Sequence, residues 1–350
     1  MSALTDHVQA IQTWYTAGKG VALAVLVRSS GATPLPLGEM MVISSALDMQ
    51  GAVSRGCVEG AVLEAAASVI AANHACLCHF GYSDDSAWQV GLTCGGEIDV
   101  LVSPLPQTPS GDQFLHTLLD LSQRTQPFFL LHILDEKALG DKLVCDRSML
   151  LYSDLPPDLQ LTPTWLETVL PLSSPAIQPL PLTSGEILPA FIQPILPPRR
   201  LFIVGAAEIA IHLTRLAKLL GFAVIIIDPR SMFATPTRFP QADAILAKWP
   251  QDCVELQALN ARDALAVISH DQKIDIPALQ LGLESDVAYL GLLGSMKTRR
   301  ERFDALLASG WQPTDLERIR APIGLDLHTK KADEIALAIL AQIVQLKNQG

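Results

Sequence analysis

The segment 199–230 constrains the fold of this 350-residue chain more than any other stretch. It reads RRLFIVGAAEIAIHLTRLAKLLGFAVIIIDPR, in which an apolar strand at 201–204 is followed by a turn at Gly205, an amphipathic helix, and a second apolar strand that ends at Asp228. A strand, a helix and a second strand in this order form a βαβ unit with two parallel strands. At least part of the chain must therefore fold around a parallel sheet.

Strands and helices continue to alternate after this unit. LAVISH (265–270) and YLGLLGS (289–295) read as apolar strands, each followed by a helical pattern, and a last helix is predicted near 332–347. Alternation of this kind predicts a parallel, doubly wound sheet. The predicted fold class is α/β, with a Rossmann-like domain at 199–350.

The residues before this domain predict a mixed α/β domain at 1–198. Strands are expected at VALAVLVRSS (21–30), GEMMVISS (38–45) and GGEIDVLVSPL (95–105), with an alanine-rich helix at 56–73. Two domains agree with the usual scale of about 100 to 200 residues per domain.

The segment 127–196 repeats the order of the first strands. An apolar strand, a strand that begins with Gly and an acidic residue, and a Gly-Glu-Ile strand follow one another, as they do earlier in the chain. One hypothesis is an internal duplication; the other is a chance resemblance between two mixed sheets. The proline-rich stretch 154–198 favours irregular connections and a domain boundary near 198.

Composition excludes two classes of partner. Lys and Arg number 25 against 36 Asp and Glu, a formal charge of −11, and no basic run is present that could neutralise a nucleic acid backbone. The longest apolar run, at 219–227, is far shorter than the about 20 residues that span a bilayer. The first residues do not read as a secretion signal. We expect a cytoplasmic protein with no nucleic acid and no membrane partner.

Two of the six cysteines stand out by their surroundings. Cys57 lies in AVSRGCVEG and Cys94 in GLTCGGEID, each beside glycine, where packing gives little reason for a thiol. Arg55 could favour the thiolate form of Cys57 and also pair with a phosphate. Alternatives remain open: part of a zinc site, a nucleophile with a distant histidine, or a small buried side chain.

The other cysteines read as ordinary. In ACLCHF, strand spacing places Cys76 and Cys78 on one face and His79 on the other, which favours core positions for the two thiols. Cys145 and Cys253 have no neighbouring motif.

The first turn of the Rossmann-like domain departs from the dinucleotide pattern G-x-G-x-x-G/A. The chain has Gly205-Ala-Ala-Glu-Ile-Ala, so that the methyl group of Ala207 stands where a pyrophosphate would approach, and Glu208 adds negative charge. Asp228 does occupy the position of the acid that binds a ribose hydroxyl. An NAD(P)-dependent oxidoreductase is therefore an alternative that Ala207 disfavours.

Two further strand ends are candidates for ligand binding, because open α/β sheets bind ligands beyond the carboxyl ends of their strands. One carries His270 and Asp271; the other carries Gly294 and Ser295, in a turn followed by Lys297 that could hold an anion through its N–H groups. The alternatives are that His270 and Asp271 only cap the following helix, and that Lys297 and Arg299 only form a solvated face.

These motifs together resemble the XdhC family, the maturation factors of xanthine dehydrogenase and related molybdenum hydroxylases. The resemblance rests on GCVEG, LTCGG, GAAEIA with IIIDPR, FATPTRFPQAD, SHD, YLGLLGS and IRAPIGLDLHTKKADEIALAILAQIV, which occur in order from about residue 20 to 345. It differs from the family pattern at Arg55, at Pro34-Leu-Pro-Leu, and at Ala207-Glu208, where a glycine and a histidine are usual.

The resemblance implies a chaperone without turnover. It would bind molybdenum cofactor, as molybdopterin or its cytosine dinucleotide, protect it while a cysteine desulfurase supplies the sulfido ligand, and deliver it into an apo molybdenum hydroxylase. A homodimer is expected. The thiols carried over from the family are Cys57 and Cys94, as ligands near the molybdenum, with Glu59, Gly95 and Gly96 around them.

Overall fold

A computed structural model describes residues 2–31, 35–81, 96–124 and 126–347. The chain divides into two compact units, Met1–Pro197 and Pro198–Gly350. None of the helices in the described ranges combines the length and the apolar character that crossing a membrane demands.

The helices and strands of the first unit follow one another along its described residues. They are α1 (Ser2–Thr16), β1 (Val21–Ser30), β2 (Met40–Ser44), β3 (Met49–Gly51), α2 (Glu59–Ala72), β4 (Cys76–Phe80), β5 (Glu97–Leu105), α3 (Pro109–Gln123), β6 (Phe128–Ile133), β7 (Lys142–Cys145), β8 (Leu150–Ser153), α4 (Trp165–Val169), β9 (Ala176–Pro181) and β10 (Ile187–Ile195).

These elements form the same arrangement twice. The first sheet has the order β3-β2-β1-β5-β4 and the second has the order β8-β7-β6-β10-β9, with antiparallel neighbours throughout. Each repeat consists of a helix, three strands, a second helix and two strands. The topology confirms the internal repeat that the sequence suggested.

The central strand β1 is buried on both faces from residue 21 to residue 27, which explains its nearly continuous apolar sequence. Val21, Leu23 and Val25 face a central core that also contains α1, α3 and one face of the second sheet. Ala22 and Ala24 face α2 in a separate core on the opposite side. The small alanines leave room for the close approach of α2. The second sheet repeats this plan with α4 on its outer face.

One prediction for this unit is wrong. The proline-rich stretch was expected to form only irregular connections outside the Gly-Glu-Ile strand, but α4 and β9 both lie within it. Pro179 and Pro181 lie in β9, which is the edge strand of the second sheet. Proline is tolerated there, because a missing backbone N–H does not disrupt pairing on the open side.

The second unit alternates strands and helices. Its elements are β11 (Arg200–Val204), α5 (Glu208–Leu219), β12 (Ala223–Ile227), β13 (Ala244–Leu246), α6 (Val254–Gln257), β14 (Ala264–Val267), α7 (Gln272–Glu284), β15 (Tyr289–Leu292), α8 (Met296–Ala308), α9 (Pro313–Leu316), β16 (Ile319–Arg320) and α10 (Ala332–Lys347).

The six strands form one parallel sheet in the order β13-β12-β11-β14-β15-β16. This is the doubly wound Rossmann order, with its reversal between β11 and β14. Apolar cores lie on both faces of the sheet. The predicted α/β class, with a mixed domain followed by a parallel Rossmann-like domain, is confirmed.

Candidate functional site

The loop that carries Cys57 is held by two side chains, Ser54 and Glu59. One carboxylate oxygen of Glu59 accepts a hydrogen bond from the Ser54 N–H at 2.8 Å. The other accepts from the Ser54 hydroxyl at 2.5 Å and from the Gly56 N–H at 2.9 Å. The Ser54 hydroxyl oxygen in turn accepts from the N–H groups of Cys57 at 3.0 Å and Val58 at 3.2 Å. The loop thus has a defined conformation at the start of α2.

The protonation of Glu59 follows from these contacts. Burial by itself would raise the pKa of Glu59, but the hydrogen bonds from Ser54 and Gly56 outweigh it and lower the pKa below its usual range. The carboxylate is therefore charged at neutral pH and stabilises the loop. Glu59, predicted as a cofactor-binding residue, contacts its own loop and acts here as a positioning residue.

The same contacts occupy the backbone amides of the loop. The N–H groups of Gly56 and Cys57 are donated to Glu59 and to Ser54. In this loop those amides are not available to an anion. The Cys57 side chain is half-buried against the core beneath α2, whereas Arg55 is exposed.

The topology brings the Cys57 loop and Gly96 to one end of the first sheet. Phe80, at the end of β4, pairs with Ile98 at the start of β5, so Gly96 lies at that end. The helix α2 leads into the opposite end of β4 and packs along β5, which places its own first residues at the Gly96 end. Cys94 and Gly95 lie outside the described residues.

A cavity of about 510 Å³ opens at this end of the sheet, on the face opposite α2. Three side chains in its wall contact one another in sequence. Arg28 donates to Asp99 at 3.2 Å, and the second oxygen of Asp99 lies 2.6 Å from His79 Nδ1. The volume falls in the range of small-molecule sites. The sequence reasoning missed these three residues. The sequence feature that could have indicated them is the presence of ionisable side chains near the ends of apolar strands.

In the second unit, Gly205 is required by packing. It has a φ of +110°, and a Cβ at this position would lie 2.6 Å from both the Cα and the N of Ser269. The backbone after β11 therefore passes directly against the backbone after β14. This close approach explains the glycine without any bound pyrophosphate.

Asp228 is fully buried and fully engaged. It accepts a hydrogen bond from the Ala206 N–H at 2.8 Å and forms a bidentate pair with Arg230 at 2.8 and 2.6 Å. Burial would raise the pKa of Asp228, but the bonds from Arg230 and Ala206 lower it below its usual range. The carboxylate predicted to bind a ribose hydroxyl could reach a ligand only by giving up these partners.

The next strand end contains a network that the sequence did not reveal. His270 is exposed with a φ of 64°, and Asp271 caps α7 by accepting from the Lys273 N–H. Beneath them the hydroxyl of Ser269 donates to Asp275, whose other oxygen accepts from Arg302 at 3.0 Å. The geometry gives Asp271 the capping role that had been the alternative reading.

Gly294 and Ser295 likewise form the entry to a helix. Gly294 has a φ of 149°, and the Ser295 hydroxyl accepts from the Thr298 N–H at 3.2 Å, capping α8. The side chain of Lys297 is 86% exposed and lies near Glu301. Within the ranges that the structure describes, no cluster of three or more His, Cys, Asp or Glu is arranged to hold a metal ion.

Two family models match the chain. The model described as the XdhC Rossmann domain matches residues 201–343, and the model of the XdhC and CoxI family matches residues 14–81. Together they cover more than half of the sequence, one in each structural unit.

Similar proteins agree with these matches. A probable xanthine dehydrogenase subunit from Bacillus subtilis is 31% identical over 160 residues, which span 45% of this chain and only 46% of that protein. The molybdenum cofactor insertion chaperone PaoD from Escherichia coli is 27% identical over 331 residues, 94% of this chain and 84% of that protein. The crystal structure of a xanthine dehydrogenase from Bacillus halodurans shares the fold, with a TM-score of 0.76, 24% identity, and coverage of 98% of this chain and 96% of that one.

Proposed function

The chain belongs to the XdhC family, and from this premise we propose that it is a molybdenum cofactor chaperone that holds the cofactor and delivers it to a molybdenum hydroxylase. The observation that carries the proposal is the alignment with a molybdenum cofactor insertion chaperone over 94% of this chain. An alignment of this extent includes both structural units. A shared role in maturation therefore explains more of the sequence than a role based on the second unit alone.

The finer steps extend this proposal. The protein would protect the cofactor, present it to a cysteine desulfurase for exchange of an oxo for a sulfido ligand, and insert it into a hydroxylase of the xanthine dehydrogenase type. The name of the relative from Bacillus subtilis supports that class of target. We propose that these steps occur in the cytoplasm and that the protein acts as a homodimer.

We propose the end of the first sheet as the cofactor site. Molybdenum accepts soft sulfur ligands, and Cys57 supplies a thiol on a loop that Ser54 and Glu59 hold in place. Cys94 would supply a second thiol, two residues before Gly96. The cavity at the same end of the sheet has a volume suited to a pterin-sized ligand and has Arg28 in its wall, but it lies on the face opposite α2 and Cys57 does not line it. When bound, the cofactor would supply the metal chemistry, while the chain orients it and limits its exposure to water.

For the second unit by itself, we propose His270, Asp271, Gly294 and Ser295 as a separate ligand-binding edge. His270 is exposed and lies next to the helix cap Asp271, while Gly294 and Ser295 form the start of α8. Gly205 and Asp228 are not included, since close backbone packing and the pair with Arg230 account for them.

The NAD(P)-dependent oxidoreductase remains without a supporting observation. The methyl group of Ala207 and the charge of Glu208 lie at the first turn, and the Ala206 N–H is already donated to Asp228. A dinucleotide would have to displace that contact. We therefore make no second proposal.

Delivery is tested by transfer of the cofactor. The protein is loaded with molybdenum cofactor under anaerobic conditions, desalted, and mixed with an apo molybdenum hydroxylase, and the appearance of hydroxylase activity is followed. We expect faster and more complete activation than with the same amount of free cofactor. Equal activation by free cofactor and by the loaded protein would contradict a delivery role.

A further inference from the structure

A pair of cysteines on β4 has a geometry that core packing does not require. Cys76 and Cys78 point to the same face of the strand, and their sulfur atoms are 3.5 Å apart. His79 lies on the opposite face, as predicted. The thiols, however, are only half-buried against the core beneath α2, so the prediction that they are ordinary core residues is incomplete.

The strand that carries them is at the edge of the first sheet as described, with β5 as its neighbour. An edge strand leaves one side of the thiol pair approachable by a solvated ion. The other described cysteines outside the Cys57 loop are not approachable in this way. Cys145 and Cys253 are completely buried, and burial raises the pKa of Cys145 to about 12 and that of Cys253 to about 11.

The two thiols are within hydrogen-bond distance of each other. The hydrogen bond with Cys78 lowers the pKa of Cys76 to about 7, and the same interaction raises the pKa of Cys78. The pair therefore loses a first proton more readily than an isolated thiol does. A thiolate, and not a thiol, is the form that binds a metal ion.

The distance between the two sulfur atoms matches the bite of a tetrahedral ion. With metal–sulfur bonds of about 2.3 Å, a separation of 3.5 Å corresponds to an S–metal–S angle of about 100°, close to the tetrahedral value. An ion could enter without a change in the strand, because both side chains already converge. Binding would release the S–H proton of each thiol to solvent, so that two thiolates face the ion.

We propose that Cys76 and Cys78 form a bidentate thiolate site for a soft divalent cation of the zinc and cadmium class. In the part of the chain that the structure describes, no third ligand completes a closed site. The proposed site uses neither Cys57 nor Cys94, and it does not depend on the chaperone function.

The test uses cadmium as the probe in a Cys57→Ser, Cys94→Ser background, which removes the proposed cofactor thiols. Titration of the full chain with Cd²⁺ is followed by the ultraviolet charge-transfer absorption of cadmium-bound thiolate and by isothermal calorimetry. We expect one Cd²⁺ per chain, an absorption equivalent to two thiolates, and release of protons. Affinity should rise with pH, because binding of the ion releases the thiol protons.

Variants then assign the site. Cys76→Ser and Cys78→Ser should each abolish the two-thiolate absorption and weaken binding by more than the about 10–100-fold that loss of an outer-shell partner costs. Cys145→Ala is the matched control and should bind as the background protein does. If circular dichroism shows that a serine variant does not fold, Cys76→Ala or Cys78→Ala is used in its place. Two-thiolate binding that survives both single substitutions, or no binding by the folded background protein, would overturn the proposal.

Discussion

Replacement of Glu59 by alanine tests whether this residue positions the Cys57 loop. The substitution removes the acceptor of three hydrogen bonds, two from Ser54 and one from the Gly56 N–H. Because the Ser54 hydroxyl is no longer oriented by the carboxylate, its bonds from the Cys57 and Val58 N–H groups should weaken as well.

The magnitude follows from the charge and the exposure of the site. A hydrogen bond to a charged group contributes about 1.5–3 kcal/mol when well buried. Glu59 is half-exposed and water can replace part of the loss, so we expect the free energy of loop opening to fall by about 2 kcal/mol. That corresponds to about 30-fold faster exchange of the loop amides.

Amide hydrogen exchange of residues 54–58 measures this change directly. Glu59→Gln keeps one acceptor oxygen without the charge and should cost about half as much. Glu64→Ala is the matched control, since Glu64 is exposed on the same helix. The pKa of Glu59 is lower in the folded loop than in the unfolded chain. The stabilisation that Glu59 contributes is therefore complete above the unfolded pKa and is lost as the pH falls through the folded pKa.

A second readout follows the thiol itself. In Glu59→Ala, alkylation of Cys57, quantified by peptide mass spectrometry, should accelerate in parallel with amide exchange. If Glu59→Ala and Glu64→Ala exchange and alkylate at the same rate, Glu59 does not position the loop.

Two further predictions concern packing and burial. Gly205→Ala should destabilise the second unit by about 2 kcal/mol more than Gly310→Ala, as measured by thermal unfolding. Both glycines have a positive φ, but only at Gly205 does the added Cβ lie 2.6 Å from the backbone of Ser269. Equal losses of stability in the two variants would contradict this reasoning. His132 is buried, and burial lowers its pKa to about 3. Below pH 6.5 the unfolded chain therefore binds more protons than the folded one. In urea unfolding, the stability of the wild type relative to His132→Leu should fall by about 2 kcal/mol as the pH is lowered from 7 to 5. A stability difference that stays constant over this range would refute the prediction.

The sequence predicted the second unit well because each of its strands is apolar and is followed by a periodic helix. The strand 201–204 and the strand that ends before Asp228 are β11 and β12 almost to the residue. The roles of the strand ends were harder to predict. Whether Asp228 meets a ligand or Arg230 depends on side-chain geometry, and a carboxylate after a strand has the same appearance in both cases.

In the first unit the strand order of each repeat follows from pairing between distant segments, which local pattern does not encode. The approach of Arg28 to Asp99 depends on the register between β1 and β5, and the bulge between Leu26 and Arg28 shifts that register. The periodicity of apolar residues in the sequence does not predict a bulge of this kind. The Cys57 motif was found because glycine beside a thiol is locally unusual, whereas the hydrogen bonds between Ser54 and Glu59 are visible only in the structure.

The most direct test of the chaperone proposal is retention of the cofactor. Wild type, Cys57→Ser, Cys94→Ser and the double variant are incubated anaerobically with molybdenum cofactor and desalted, and bound molybdenum and pterin are quantified, with Cys253→Ala as the control. We predict near-stoichiometric retention by wild type and control, and a loss of both components in the variants that lack a cofactor thiol. Folded wild-type protein that retains neither molybdenum nor pterin would contradict the proposed function, and full retention by the double variant would contradict the proposed site.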